Sequence, residues 1–192
     1  MTLPILILAA GASRRMGGVD KLLQPVRGKP LLRDRVEAAL ATGAEVFVTL
    51  PEGDETRAKT MDGLQDVALI PSPNAHEGMA GSLRDGIKAL PEDAQGVLVV
   101  LADMPDITTL DMQRLRAGFD GGPLRAATQD GIPGHPTLLT RDLFAEIANL
   151  HGDIGARNVL KAHPPRLIPL PGTRALTDLD TPQDWADWRT RT

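Results

Sequence analysis

An α/β fold, three layers deep with a mostly parallel central sheet, is what this 192-residue chain predicts. Two observations carry the expectation. Strand-sized apolar runs alternate with amphipathic stretches along the chain, the pattern of a sheet covered by helices on both faces. The first apolar run then empties into a small-residue, glycine-containing loop, at the sheet end where such folds bind ligands. In order, strands are expected at 3–8, 45–50, 67–70, 96–102, 124–128, 136–139 and 166–170. Helices are expected at 30–42, 79–90, 109–119, 141–149, 156–162 and 182–189. The helix at 79–90 follows a glycine-rich turn and carries Leu83, Ile87 and Leu90 at helical spacing. The last helix opens with Thr181 or Asp180 as cap and Pro182 at its first position. No repeat, low-complexity tract or linker divides the chain, so one domain over 1–192 is expected.

A chain of this length buries roughly 70% of its unfolded surface in one core. Apolar content of 42% and charged content of 24% are ordinary for a globular protein in water. The longest apolar run, around Val97 to Ala102, is strand-sized, so no membrane association is expected. The first residues lack the basic region and cleavage site of a secretory signal, which makes a cytoplasmic location the expectation. With no cysteine, disulfides, thiolate metal sites and cysteine nucleophiles drop out together.

The net charge of −4 argues against a nucleic-acid binder, and its distribution is informative. The first 35 residues hold Arg14, Arg15, Lys21, Arg27, Lys29, Arg33 and Arg35 against Asp20 and Asp34, a local +5. The remainder carries −9. A basic patch on an acidic chain suits capture of a small anion better than tracking a long backbone. Arg33 and Arg35 read as a solvated helix face. With Phe47, Phe119, Phe144, Trp185 and Trp188 as its whole aromatic complement, the chain lacks single-strand stacking platforms.

The loop after the first strand reads Leu8-Ala9-Ala10-Gly11-Ala12-Ser13-Arg14-Arg15-Met16-Gly17-Gly18-Val19-Asp20-Lys21. Small residues let the backbone approach a ligand, loop N–H groups cradle anions, and Arg14, Arg15 and Lys21 add positive charge. The ligand this points to is a polyphosphate. A Walker A loop does not explain it, since five residues separate Gly11 from Gly17 and Gly18 stands where lysine is required. The dinucleotide fingerprint is absent too, because Ala12 and Ser13 follow Gly11. The run resembles the signature of the MobA-like NTP transferases, nucleotidyltransferases that share the molybdenum-cofactor guanylyl/cytidylyltransferase fold. Leu8, Ala9, Ala10, Gly11, Ser13, Arg15, Met16, Gly17 and Lys21 fill that signature. The resemblance implies a Rossmann-like nucleotide-diphospho-sugar transferase fold and a loop wrapping an NTP triphosphate. Arg15 and Lys21 would then neutralise charge as pyrophosphate leaves.

Four further segments carry chemistry. Leu101-Ala102-Asp103-Met104-Pro105 puts an aspartate at the carboxyl end of the most apolar strand, suited to Mg²⁺ or to a turn. Resemblance makes Asp103 a metal ligand and leaves Asp106 a capping or turn residue. Thr177-Asp178-Leu179-Asp180-Thr181-Pro182 is explained locally by helix capping, yet it is similar to the family's second acidic segment. That likeness implies Asp180 as the second metal ligand, with Asp178 the weaker candidate. The turn Gly78-Met79-Ala80-Gly81-Ser82-Leu83 either caps its helix or hydrogen-bonds the nucleotide through Gly81 and Ser82. Finally, Gly134-His135-Pro136 and Gly152-Asp153-Ile154-Gly155-Ala156-Arg157 look like stretches of the molybdenum cofactor cytidylyltransferase branch. His135, Asp153 and Arg157 are the acceptor-binding candidates that likeness implies.

Other catalytic patterns are missing. Ser13 lacks a nucleophile-elbow glycine, and His76, His135, His151 and His163 show no metal-ligand spacing. The expected reaction is transfer of CMP from Mg²⁺-bound CTP to the phosphate of a molybdopterin-type acceptor. The Ala9-Ala10-Gly11 form resembles the cytidylyl branch, whereas guanylyl members more usually show Leu-Ala-Gly-Gly. Partners expected with it are a molybdenum hydroxylase or its maturation factor. Three alternatives stand beside it: another NTP or a sugar or polyol phosphate acceptor, a non-catalytic nucleotide-binding maturation partner, and an NAD(P)-dependent oxidoreductase.

Overall fold

The strand Ile5–Leu8 (β1) shows how two cores form around one sheet. Ile5 and Ile7 point into one apolar cluster and Leu6 into another, because side chains alternate across a pleated strand. The same alternation sends Leu98 and Val100 to one side and Val97 and Val99 to the other within Gly96–Leu101 (β6). The computed structural model describes residues 2–152 and 155–191. Its remaining elements are Pro25–Val26 (β2), Lys29–Pro30 (β3), Leu31–Leu40 (α1), Val46–Pro51 (β4), Glu55–Lys59 (α2) and Val67–Ser72 (β5). Then come Met79–Lys88 (α3), Thr109–Ala117 (α4), Leu124–Ala127 (β7), Pro133–Thr140 (β8) and Phe144–Ile147 (α5). The last are Arg157–Ala162 (α6), Arg166–Pro169 (β9) and Pro182–Arg191 (α7).

Among the described residues the main sheet has seven strands in the order β5-β4-β1-β6-β8-β7-β9. Every strand runs with β1 except β8, which pairs antiparallel with both β6 and β7. Residues of α1, α4 and α7 cover one face (Val36, Leu115, Trp185), and residues of α3, α5 and α6 cover the other (Leu83, Ile147, Leu160). This is the three-layer α/β arrangement. No helix among the described residues is long and apolar enough to cross a membrane.

Three features depart from the sequence expectation. Helix α2 is five residues long and has no apolar period to reveal it; the Asp54 side chain starts it by accepting from the Arg57 N–H at 2.9 Å. The β2–β3 pair turns on Arg27 and Gly28, both at positive φ. The stretch 141–149 divides into a 3₁₀ turn at Arg141–Leu143 and the short α5.

Arg35 corrects the solvated-face reading. Its side chain is buried, paired with Asp34, and donates to the carbonyls of Met104 and Ile107. It thereby holds the turn that follows Asp103, and the carbonyls that the turn leaves free explain its burial. Arg33 is also engaged, with Glu37 and the carbonyls of Thr60 and Asp62.

Candidate functional site

Register sets the site. Leu8 lies opposite Leu101 in the β1/β6 pair, so the loop after β1 and the Asp103 turn after β6 emerge side by side. The Ala102 N–H donates to the Leu8 carbonyl at 3.2 Å, extending that pairing past the strand ends. The segment before α7 then joins them, because the Leu179 N–H donates to the Asp103 carbonyl at 3.0 Å. Thr181 and Asp184 cap α7 reciprocally, the Thr181 hydroxyl accepting from Asp184 N–H and the Asp184 carboxylate from Thr181 N–H. That arrangement leaves the Asp180 carboxylate free for the cleft. Asp106 accepts from the Trp188 indole at 2.8 Å, tying α7 to the same sheet edge.

The result is one cluster of charge. Lys21 Nζ lies 2.5 Å from Asp103 Oδ2 and 2.6 Å from Asp180 Oδ1. Arg15 reaches the other oxygen of Asp180 at 2.7 Å from a side chain that is 69% exposed. Lys21 is 11% exposed; burial opposes its charge, but the two aspartates prevail and hold its pKa above the ordinary lysine value. The Asp178 pKa is raised too, by burial and then by the charges of Asp103 and Asp180, which for a carboxyl favours the neutral form.

A network beneath the loop keeps this geometry. Ser13 sits in the left-handed region at φ 49°, a conformation costing about 1–3 kcal/mol that surroundings must impose. Its hydroxyl donates to Asp20 at 3.2 Å and accepts from the Lys21 N–H at 3.3 Å. Asp20 is gripped in turn by Arg57, whose Nε and Nη2 donate to it at 2.7 and 3.0 Å. Arg57 also donates to the Ala9 carbonyl at 2.6 Å and is 3% exposed. Sequence reasoning missed Arg57 entirely, since its helix shows no apolar period and its partners lie in another segment.

A cleft of about 590 Å³ opens over the loop. Leu8, Ala9, Ala10, Gly11, Ser13, Arg14, Arg15, Lys21, Ser82, Asp103, Asp178 and Asp180 all line it. Gly81 does not. A Cβ there would meet the Asn74 carbonyl oxygen at 1.9 Å, so glycine lets α3 seat against the Asn74 turn, which Asp85 holds through Asn74 and Ser72. His135 and Arg157 lie instead in an adjoining cavity of about 380 Å³. Asp153 falls outside the described residues.

The donor set suits a hard divalent cation. Asp103 Oδ1 is buried without a hydrogen-bond partner among the described residues, and the carboxylates of Asp178 and Asp180 line the same cleft. No cluster of three or more His, Asp or Glu poised to hold a metal occurs among the described residues. Mg²⁺ tolerates such a poor protein shell because it keeps waters and takes phosphate oxygens from its substrate.

His135 differs from the charged cleft. Burial, and then the positive charge of Arg125, lower its pKa to about 4. The unfolded chain binds a proton near 6.5 that the folded protein refuses until about 4. This contribution is therefore present above 6.5 and lost as pH falls toward 4. Going from pH 7 to pH 5 is expected to cost the wild type about 2 kcal/mol more than His135→Asn, read by urea unfolding at both values. Equal pH slopes would show that His135 titrates normally.

Comparison with known proteins follows this geometry closely. The model of the MobA-like NTP transferase domain matches residues 5–167. Nicotine blue oxidoreductase of Paenarthrobacter nicotinovorans is 27% identical over 82% of this chain and 81% of its own length. A probable molybdenum cofactor guanylyltransferase of Synechococcus elongatus is 33% identical over 60% of this chain, a match spanning 58% of that protein. Among solved structures, Rv0371c of Mycobacterium tuberculosis H37Rv superposes with a TM-score of 0.84 at 27% identity, covering 98% of each chain. A second structure of that protein, in complex with manganese, superposes with the same score at 24% identity. The fold is that of the nucleotide-diphospho-sugar transferases, shared with other nucleotidyltransferases.

Proposed function

The chain belongs to the MobA-like NTP transferase family, and on that premise we propose that it transfers CMP from CTP to the phosphate of a molybdopterin-type acceptor, releasing pyrophosphate. The observation that carries this reading is the Lys21 ammonium shared by Asp103 and Asp180 at the lip of a glycine-loop cleft. An attacking phosphate oxygen is already anionic at neutral pH. It forms the new bond to the α-phosphorus as the bond to the pyrophosphate oxygen breaks, and no general base is needed. That agrees with a site of cations and backbone donors.

Each residue has a role in this account. The loop Leu8 to Ser13 and Arg14 receive the phosphates, while Arg15 and Lys21 turn from the aspartates toward the negative charge that grows on the leaving group. Asp103 and Asp180 would hold Mg²⁺, whose charge would offset that of the α-phosphate. Ser82 faces the nucleoside. His135, Arg157 and Asp153 belong to the acceptor side. Most of the rate gain comes from alignment and charge neutralisation. A cytoplasmic location and delivery to a molybdenum hydroxylase or its maturation factor complete the proposal.

A second reading rests on the relative whose name is an oxidoreductase and which this chain matches over most of both lengths. It would use the same cleft for a redox nucleotide, although the GxGxxG fingerprint is missing here. One experiment separates them. The protein is incubated with CTP, GTP or ATP, Mg²⁺ and a molybdopterin source, with pyrophosphate followed and the pterin product identified by mass spectrometry. Release of pyrophosphate with a CMP-linked pterin is expected. Pyrophosphate released only with sugar or polyol phosphates would replace the acceptor. Nucleotide binding without release would favour a maturation partner, and NAD(P)H oxidation in its place would favour the redox reading.

A further inference from the structure

Two charged side chains of α3 are buried, and neither takes part in the transfer reaction proposed for the cleft. Arg84 and Asp85 are each 8% exposed, in a helix whose residues 80–86 are all buried. Burying a charge is costly unless it is paired, so the partners of each are informative. Asp85 accepts from the Ser72 hydroxyl at 2.7 Å, the Asn74 side-chain amide at 2.7 Å and the Asn74 N–H at 3.2 Å. Arg84 donates to the Glu77 carboxylate at 2.8 Å and to the Leu150 carbonyl.

Ser72, Asn74 and Glu77 bracket the 3₁₀ turn Pro73–Glu77. Among its described residues none is buried, so apolar packing does not hold it in place. Asp85 grips its start instead, and Arg84 its end. Gly78 then leads into α3 at φ 89°, in the left-handed region that favours glycine. Ala75, His76, Glu77 and Gly78 line the nucleotide cleft, as does Ser82 of α3. Neither Arg84 nor Asp85 lines it.

The chemistry of the turn says which part of a nucleotide it meets. Arg14, Arg15 and Lys21, from the loop after β1, bring positive charge to the cleft, whereas the turn brings a carboxylate. The Arg84 hydrogen bond holds the Glu77 pKa below its ordinary value, so that carboxylate is charged at neutral pH. A carboxylate repels phosphate and accepts from amino and hydroxyl groups, which suits the base and ribose. We infer that Arg84 and Asp85 are positioning residues: through the turn they grip, they set the wall against which the nucleotide's base is selected. The inference rests on the nucleotide-binding reading of the cleft, and it adds which buried charges shape the base side.

The test is calorimetric titration of the whole protein with Mg²⁺ and two kinds of ligand. One is the tightest binding of the α,β-methylene analogues of CTP, GTP and ATP. The other is inorganic tripolyphosphate, which has the phosphates without the base. Asp85→Asn and Arg84→Met are expected to weaken the analogue about tenfold, the scale of one lost hydrogen bond, and to leave tripolyphosphate unchanged. Arg84→Lys keeps the charge and recovers most of the loss. Asn74→Ala, at a half-buried position outside the cleft lining, repeats the pattern should a buried-charge variant fail to fold. Equal weakening of both ligands, or of neither, overturns the inference. So does a wild type that binds tripolyphosphate as tightly as the analogue. A wild type that binds neither ligand sinks the nucleotide reading itself, and the inference with it.

Discussion

Asp103→Asn is expected to lose about 10²–10³ in Mg²⁺-dependent turnover, the range for one missing charge-stabilising group in a preorganised site. The fold should scarcely notice. Asparagine keeps the volume, Oδ1 has no hydrogen-bond partner to lose, and Lys21 retains Asp180 at 2.6 Å. What disappears is one of the two carboxylates that share the Lys21 ammonium, and with it half of the hold proposed for a divalent cation. Pyrophosphate release, Mn²⁺ titration and thermal unfolding should be measured on one preparation. Turnover and Mn²⁺ affinity should fall together while the unfolding midpoint stays within about 3 °C, the shift that 1 kcal/mol gives at this size. Unchanged turnover would remove Asp103 from the reaction.

The second large effect belongs to a residue outside the cleft. Arg57→Met should cost about 3–5 kcal/mol, because it strands a partly buried carboxylate. Asp20 would lose both guanidinium bonds, and the Ala9 carbonyl would lose its 2.6 Å donor. Asp20 shows what is at stake. Burial pushes its pKa up, yet the bonds and charge of Arg57, helped by Leu22 and Ser13, bring it below the ordinary value. The double variant Arg57→Met with Asp20→Asn removes the stranded charge and should recover part of the loss. Since Asp20 orders Ser13, and Ser13 accepts from the Lys21 N–H, the single variant should also raise the KM for the nucleotide. A loss under 1 kcal/mol by urea unfolding would mean the loop holds its shape without Arg57.

Much of the architecture is legible from local pattern. Strand and helix positions follow from apolar spacing, and their observed bounds differ from expectation by a few residues at most outside 141–149. Helix α2 escapes because five residues leave no room for a period, and its cap, Asp54, reads as any loop aspartate. The antiparallel course of β8 escapes as well, since an apolar run does not state its direction. That direction matters: it sets Thr137 opposite both Val99 and Arg125, which builds the floor of the second cavity.

Charge is where sequence reading is weakest. Seven cations within the first 35 residues promise a basic patch, but folding spends most of them. Arg27, Lys29 and Arg33 pair with acids, and Arg35 goes inside to satisfy carbonyls. Arg14, Arg15 and Lys21 are left to the cleft. Burial and pairing depend on neighbours from distant segments, and a linear window sees none of them.

The amino-acid order alone determined the sheet-and-helix alternation, the glycine loop after the first strand, and which aspartates stand at strand and helix ends. Those properties arise from periodicity, backbone freedom and capping, all of which act within a few residues. Only the tertiary structure decided that Lys21 would meet Asp103, 82 positions away, and Asp180, 159 positions away. It also decided that Gly81 serves packing, and that Arg125 and Arg157 have no carboxylate partner among the described residues beside a cavity. Electrostatic and steric contacts fall off over a few ångströms of space, and sequence distance does not measure that.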